Sequence, residues 1–323
     1  WDHHHLGACG AVLIGILWVG RAHWWSVLRQ AFGKQPGPNE PAMGGWARGF
    51  LIAVVGMFAW LAIVGVGPLA STMIVVVLLS VHVIVARVVT ETGLPFLRIM
   101  ATVPQIAANF PTTLFTGREM FFASTSTFFG AIATRESVLP HAMNALQINQ
   151  STDESPRPRA VIGVMAWALG LAIVVSSASS LWCYYTFASP LSESASGQEN
   201  LDGSFTFPNR FVTDNLVNQA SGRFPKANYN SGVQIAVGAG ITGVLQYCVL
   251  RFASWPFIPV AYLVSHTWFV RLAWWSILLG WLCKVLILRF GGATLFQRLK
   301  PAFVGLIVGE ALAAGLWLAI ALV

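Results

Sequence analysis

Long apolar runs separated by short polar turns dominate the chain. A helix needs about 20 apolar residues to cross the hydrocarbon core of a bilayer. The pattern predicts membrane spans over residues 6–19, 50–66, 69–85, 160–184, 232–250, 272–288 and 302–323. A further stretch, 252–265, is interrupted by Pro256 and Pro259, and it is either a short span or a re-entrant hairpin.

The basic residues favour a crossing at 252–265. With that crossing, most of the 19 lysines and arginines fall on one side of the membrane, including all those from Arg87 to Arg159. Positive charge concentrates on the cytoplasmic side of membrane proteins. We therefore expect an all-α, polytopic integral membrane protein with about seven to eight transmembrane helices. Eight crossings would leave both termini outside.

Composition sharpens this picture. Hydrophobic residues make up 56% of the chain and charged residues 10%, whereas soluble domains carry about 25% charged residues. These values exclude a disordered chain, a nucleic-acid-binding domain and nearly any soluble enzyme. The net charge of +7 is spread thinly, so it indicates topology. The partner that the composition predicts is the lipid bilayer, and no nucleic acid.

The domain organisation we expect is a single transmembrane domain, 1–323, with three atypical segments. Residues 90–136 mix phenylalanines with many polar residues and three prolines. This segment is either a broken or re-entrant helix of the kind that forms binding sites in transporters, or an interfacial hairpin. Residues 137–159 are a cytoplasmic connector. Residues 189–231 are an outer loop, which acts as a lid, a solvated cap or a contact for a partner.

Charges inside the predicted spans are the first candidates for function, because each costs at least about 2.5 kcal/mol at the bilayer centre. Glu310 lies about 15 Å along the helix from Lys300. It either binds a proton or cation, or it is a structural carboxyl that joins helices. Lys284 either reaches to the interface or pairs with Glu310.

The remaining polar candidates surround residues 90–136. Arg87 and Glu91 have the i, i+4 spacing of a helical ion pair at the cytoplasmic mouth. A second group contacts an anionic substrate or a lipid headgroup, or forms a solvated face: Arg98, Gln105, Asn109, Arg118 and Glu119. His82, within a span, is either a ligand for haem or a chlorin, or a helix–helix hydrogen-bonding residue.

No catalytic or metal-binding motif accompanies these residues. The four cysteines lie in apolar stretches without CxxC spacing, so we expect them to fill space. A local metal site at the run His3–His5 is a minor alternative. No P-loop, hydrolase elbow or zinc-protease helix occurs. We therefore expect no enzyme, no cofactor and no metal.

Several stretches resemble one family of membrane proteins. They are 87–95 RVVTETGLP, 139–146 LPHAMNAL, 279–292 LGWLCKVLILRFGG, 298–301 RLKP and 305–310 GLIVGE. Together they resemble the C-terminal half of a family of large, uncharacterised bacterial multi-pass membrane proteins, which is itself faintly similar to oligopeptide transporters. The resemblance implies a bacterial cytoplasmic (inner) membrane and a missing N-terminal half, and it transfers no catalytic residue. Residue 1 is tryptophan, so we expect a processed, trimmed or partial product.

Two main functional hypotheses follow from this reasoning. The first is a solute-transporter-like protein with its site at 90–119 and Glu310 as the coupling carboxylate. The second is a non-catalytic accessory or scaffold subunit of a larger membrane complex, for which 189–231 would be the docking surface. A third and minor hypothesis is a pigment- or haem-binding protein that uses His82.

Overall fold

The computed structural model describes residues 2–37, 42–92, 99, 101–128, 130, 138–151, 158–186, 206–222, 230–252, 255–265 and 267–321. Across these residues the fold is helical, without a strand, which confirms the all-α class. The chain divides into two units, unit 1 (Trp1–Thr267) and unit 2 (Trp268–Val323).

Unit 1 contains eleven helices within its described residues. They are α1 (Asp2–Val19), α2 (Arg21–Ala31), α3 (Gly44–Ile63), α4 (Pro68–Thr92), α5 (Val103–Ala107), α6 (Gly117–Thr127), α7 (Val138–Ser151), α8 (Pro158–Thr186), α9 (Thr206–Ala220), α10 (Ser231–Arg251) and α11 (Pro259–Ser265), with a 3₁₀ turn at Thr112–Leu114. Unit 2 is the helix α12 (Trp268–Ala321).

Five helices are long and apolar enough to cross a membrane, or six if the bent pair α1–α2 forms one span. The five are Gly44–Ile63, Pro68–Thr92, Ala160–Trp182, Ser231–Arg251 and Ala273–Trp317. Helices of this length and composition are those of an integral membrane protein. They coincide with the predicted spans 50–66, 69–85, 160–184 and 232–250.

The predicted count of seven to eight spans stays a prediction, and two stretches bear on it. Within 252–265 the helix is only the seven-residue α11, about 10 Å long where the hydrocarbon core is about 30 Å thick. The predicted spans 272–288 and 302–323 both lie in α12. That helix contains one non-helical residue, Gly292, with φ 66° and ψ −176°.

Helix α4 forms the centre of unit 1. It begins with Pro68, whose fixed φ suits the first helical position, after a turn in which Gly65 has φ +79°. Its side chains are apolar on all faces, which is typical of a buried helix. Ile74, Val81 and Ile84 are each 1% exposed. Helices α1, α3, α5, α6 and α7 pack against it.

Helices α1 and α10 pack side by side in parallel. A Cβ atom on Gly238 would collide with the carbonyl oxygen of His4, and one on Gly7 would collide with that of Ile235. The close approach therefore depends on glycine, as small residues allow between membrane helices. Further along, Gln246 Nε2 donates to the carbonyl of Ala11 at 3.2 Å.

Helix α2 turns away from α1 by 70°. It is fixed to α3 by two hydrogen bonds: Met43 N donates to Gln30 Oε1 at 2.8 Å, and Arg48 Nε donates to the carbonyl of Ala31 at 3.0 Å. Its exposed side includes Trp24 and Trp25. A bent helix with exposed tryptophans is typical of the membrane interface.

Candidate functional site

A cleft of about 550 Å³ opens where α1, α4 and α10 end, beside the start of α11. Most of its wall is apolar: Val12, Ile14, Ile16, Val19, Val249, Leu250, Ile258 and Val260. Its size falls within the roughly 300–1,000 Å³ that is usual for small-molecule pockets. Trp18 and Trp24 also line it, which places the opening beside the interfacial helix α2.

The polar groups of the cleft are an ion pair, an imidazole and an amide. Arg87 and Glu91 form an ion pair, which confirms the predicted i, i+4 pairing. Their side chains are 57% and 36% exposed, and such exposed helical pairs contribute only about 0.3–0.5 kcal/mol. His23 and Gln246 complete the polar lining. Apolar walls with a few convergent polar groups are typical of a ligand site.

Threonine hydroxyls add hydrogen bonds to the backbone near this end of α4. Thr90 Oγ1 donates to the carbonyl of Ala86 at 2.8 Å, and Thr92 Oγ1 donates to that of Val88 at 2.7 Å. Each carbonyl lies four residues before the hydroxyl, which is a common arrangement for threonine within a helix.

Arg118 and Glu119 lie at the opposite end of α4, where they hold the turn before it. Glu119 Oε1 accepts from Gly67 N at 2.9 Å, while Oε2 accepts from Thr116 N at 2.7 Å and from Thr116 Oγ1 at 2.9 Å. Thr116 and Glu119 form a capping box at the start of α6. Arg118 covers Gly65, where a Cβ atom would lie 2.5 Å from Nη1. We call Arg118, Glu119, Gly65 and Gly67 the turn clamp.

Gln105 and Asn109 lie at the same end as the turn clamp. Asn109 Nδ2 donates to the carbonyl of Gln105 at 3.1 Å, and Asn109 Oδ1 accepts from Ser231 Oγ at the start of α10. Gln219 Nε2, on α9, donates to the carbonyl of Phe115 at 2.7 Å. Residues 109–119 thus contact part of the predicted outer loop 189–231.

The two arginines lie at opposite ends of α4. The turn clamp is joined to Gly67, which lies about 30 Å along α4 from Arg87. The charge pattern predicted Arg87 and Arg118 on one side of the membrane, and this assignment stays a prediction. Arg98 lies outside the described residues.

Helix α6 runs beside the first half of α4. It starts at the turn clamp, and a Cβ atom on Gly130 would collide with the side chain of Leu78, midway along α4. The helix has 11 residues, about 16 Å. Ser124 is fully buried, and neither Ser124 Oγ nor Thr125 Oγ1 hydrogen-bonds to any described residue.

The remaining predicted residues are His82 in unit 1 and Glu310 and Lys284 in unit 2. His82 Nδ1 lies 2.8 Å from the carbonyl of Leu78, one turn earlier in its own helix, so the Nδ1–H tautomer donates to it. In unit 2, Glu310 and Lys284 are exposed. Lys284 Nζ lies 6.0 Å from the ring of Phe296, and in this described helix it forms no ion pair with Glu310. Among the described residues no cluster of three or more potential metal ligands occurs.

A family model described as a family of unknown function, DUF6785, matches residues 2–323. The chain belongs to this family. The match covers nearly the whole chain of this DUF6785 protein, and therefore both units. No curated protein and no solved structure matches it. The transporter likeness and the bacterial origin, which the resemblance implied, stay predictions.

Sequence reasoning missed several residues of this DUF6785 member. The capping box was readable as Thr116 and Glu119 at the spacing T-x-x-E. His23 and Gln246 carry no local signal, because only the packing of α1 against α10 brings them to one cleft. Ser124 was noted only as one of many polar residues in its segment.

Proposed function

We propose that this chain is a solute-transporter-like integral membrane protein whose substrate site lies along α6. The observation that carries the proposal is the half-length course of α6 beside α4, with unpaired hydroxyls at Ser124 and Thr125. Helices that stop within the membrane are tolerated where they are buried in protein or line a wet cavity. Transporters build substrate sites from such helices.

The two hydroxyls define what the site would bind. A buried hydroxyl without a partner costs about 1–3 kcal/mol. A polar solute that supplied hydrogen-bond partners to Ser124 and Thr125 would remove this cost. The proposed site therefore moves from the predicted 90–119 to 116–130, because Arg118 and Glu119 are occupied in the turn clamp.

Uptake into vesicles tests this function. Vesicles that contain the protein, and vesicles that contain the variant Ser124→Ala/Thr125→Val, would be exposed to a mixture of cell metabolites, and their contents measured by mass spectrometry. We expect a solute to accumulate with the wild type and about tenfold more slowly with the variant. The control is Thr72→Val, whose exposed hydroxyl bonds the carbonyl of Pro68. Absence of any accumulated solute would contradict the function, and an unaffected double variant would contradict the site.

Glu310 keeps its proposed role as the coupling carboxylate. It is an acidic side chain within an apolar stretch of α12, and an intramembrane carboxylate is a functional candidate by default. Glu310→Gln should abolish uptake that a proton or cation gradient drives, while exchange without a gradient continues. Unchanged gradient-driven uptake would remove the role.

The topology belongs to the same proposal. Helix α12 consists of two helical segments joined at Gly292, where the backbone is not helical, and each segment is long enough to cross the roughly 30 Å of the hydrocarbon core at 1.5 Å per residue. It would supply two spans that bend at Gly292, with 284–300 on the cytoplasmic side of a bacterial inner membrane. In a variant in which the four native cysteines are replaced, Arg298→Cys should then react with a membrane-impermeant thiol reagent that is added on the cytoplasmic side, and not with one added on the other side.

A second function, an accessory subunit of a larger complex, is favoured by the apolar surface of the long helices. None of the span window in α8 is buried, and α12 taken by itself buries none of its own. Glu310 on such a surface needs a partner, because a carboxylate facing lipid is costly. Native mass spectrometry after mild extraction should then show a fixed stoichiometry with other polypeptides. Detection of the protein as a monomer or homo-oligomer would favour the transporter. Normal assembly of the complex after deletion of residues 189–231 would exclude that loop as the docking surface.

A further inference from the structure

The cleft at the end of α1, α4 and α10 is a second candidate site, distant from α6. The proposed transport site begins at the turn clamp, whereas the cleft contains Arg87, about 30 Å along α4. We infer that this cleft binds a zwitterionic amphiphile, with its charged head on Arg87 and Glu91 and its apolar chain between α1 and α10.

The walls of the cleft specify the apolar part of the ligand. Val12 and Ile16 of α1 and Val249 and Leu250 of α10 line the cleft. Gly15 and Gly20 let the side chains of Gln246 and Trp24 lie close against α1. Gln246, the one amide among the described lining residues, donates to the carbonyl of Ala11. An alkyl chain fits such a surface, because it needs no hydrogen-bond partners there.

The charges at the cleft specify the head of the ligand. Arg87 and Glu91 form an ion pair between their side chains, and both side chains are partly exposed. A purely anionic head that took Arg87 would leave Glu91 beside a second negative charge. In a head that carries both a phosphate and an ammonium group, the phosphate would pair with Arg87 and the ammonium with Glu91. One ion pair would thereby become two, and arginine is well suited to bind phosphate with two parallel hydrogen bonds.

The position of the cleft favours a lipid as the source of this head. Trp18 and Trp24 line the cleft, and Trp25 lies exposed on the adjoining α2. Tryptophans concentrate at the level of the lipid headgroups. The charged pair would meet a phosphoethanolamine head at that level, and one acyl chain would enter the cleft.

Native mass spectrometry of the full chain, delipidated in detergent, tests the inference. Three lipids with identical acyl chains would be titrated: phosphatidylethanolamine, phosphatidylglycerol and diacylglycerol. We expect the first bound molecule of phosphatidylethanolamine to have about tenfold higher affinity than the first bound molecule of either other lipid. A soluble single-chain lysophosphatidylethanolamine in a parallel titration distinguishes a free amphiphile from a bilayer lipid, since tighter binding of that form assigns the cleft to the free amphiphile.

Variants locate the binding and keep the test independent of folding. Arg87→Ala and Glu91→Ala should each lower the affinity for phosphatidylethanolamine about tenfold. The exchange Arg87→Glu/Glu91→Arg preserves the helical pair and should retain the preference for this head. Lys300→Ala, in unit 2, is the charge-matched control and should change nothing. Equal affinities for all three lipids, or unchanged binding in both alanine variants, would overturn the inference, as would a preference for phosphatidylglycerol that survives in Glu91→Ala.

Discussion

The two ends of α4 each carry an arginine and a glutamate, yet these residues do different work. In the turn clamp, Glu119 accepts hydrogen bonds from the backbone of Gly67 and Thr116, and Arg118 covers Gly65. In the cleft, Arg87 and Glu91 pair with each other. The same two residue types are thus fixed by the backbone at one end and paired only through side chains at the other.

The difference arises from the backbone donors that each end offers. The turn before α4 and the start of α6 both present unpaired N–H groups, which a carboxylate can accept. At the far end of α4 the groups without a helical partner are carbonyls, which a carboxylate cannot bind, and Glu91 pairs with Arg87. Whether a glutamate near a helix end is fixed in the fold or left to pair with an arginine therefore depends on whether unpaired backbone N–H groups lie beside it.

The largest expected effect is on removal of the Glu119 carboxylate. Glu119→Ala leaves Gly67 N and Thr116 N without acceptors and breaks the capping box, so we expect a loss of about 2–3 kcal/mol of unfolding free energy. Thermal unfolding in detergent micelles measures it. Glu91→Ala is the matched control, with an expected loss below about 0.5 kcal/mol. Equal losses in the two variants would erase the contrast between the ends.

A smaller effect is expected at the turn itself. Gly65→Ala places a Cβ atom on a residue with φ +79° and against Arg118 Nη1. Gly33→Ala, with φ +89° and open space around it, carries only the backbone strain of about 1–2 kcal/mol. Nη1 is the end of a flexible, exposed side chain, so we expect Gly65→Ala to destabilise by only about 0.5 kcal/mol more than Gly33→Ala. A difference above about 1 kcal/mol would mean that Arg118 is held rigidly against the turn.

The smallest effect is expected for the coupling between Arg87 and Glu91. A double-mutant cycle with alanine at both positions should give about 0.3–0.5 kcal/mol, decreasing as salt is added. A coupling energy above about 1 kcal/mol that salt does not reduce would mean that the pair is a structural fixture like the turn clamp.

Whether a feature of the fold can be predicted from the sequence depends on how far apart along the chain the interacting residues lie. The apolar helices α3, α4, α8 and α10 follow from hydropathy, because burial in lipid or protein needs only composition. The pair Arg87–Glu91 follows from spacing on one helix. The bond between Gly67 and Glu119 spans 52 residues, and that between Gln219 and Phe115 spans 104. Neither bond leaves a local signal, so neither contact was predicted.

The stretch 252–265 shows a second limit. Charge counting favoured a crossing there, because it weighs only the sides on which lysines and arginines fall. It does not consider backbone geometry, and Pro259 is the first residue of α11, the position at which a helix tolerates proline. Whether a proline-containing stretch such as 252–265 crosses the membrane depends on the protein that packs around it. Counting lysines and arginines gives no information about that packing.

The contact between α1 and α10 has a consequence for biosynthesis. The bond between Gln246 and Ala11 joins residues 235 positions apart, and ribosomes add about 5–20 residues per second. The first helix would wait in the membrane for roughly 12–47 s before its partner is synthesised. During that time the glycine surface of α1 faces lipid. The cleft between these helices cannot exist in a nascent chain that stops before α10, so any ligand it holds joins the protein only after α10 has been synthesised.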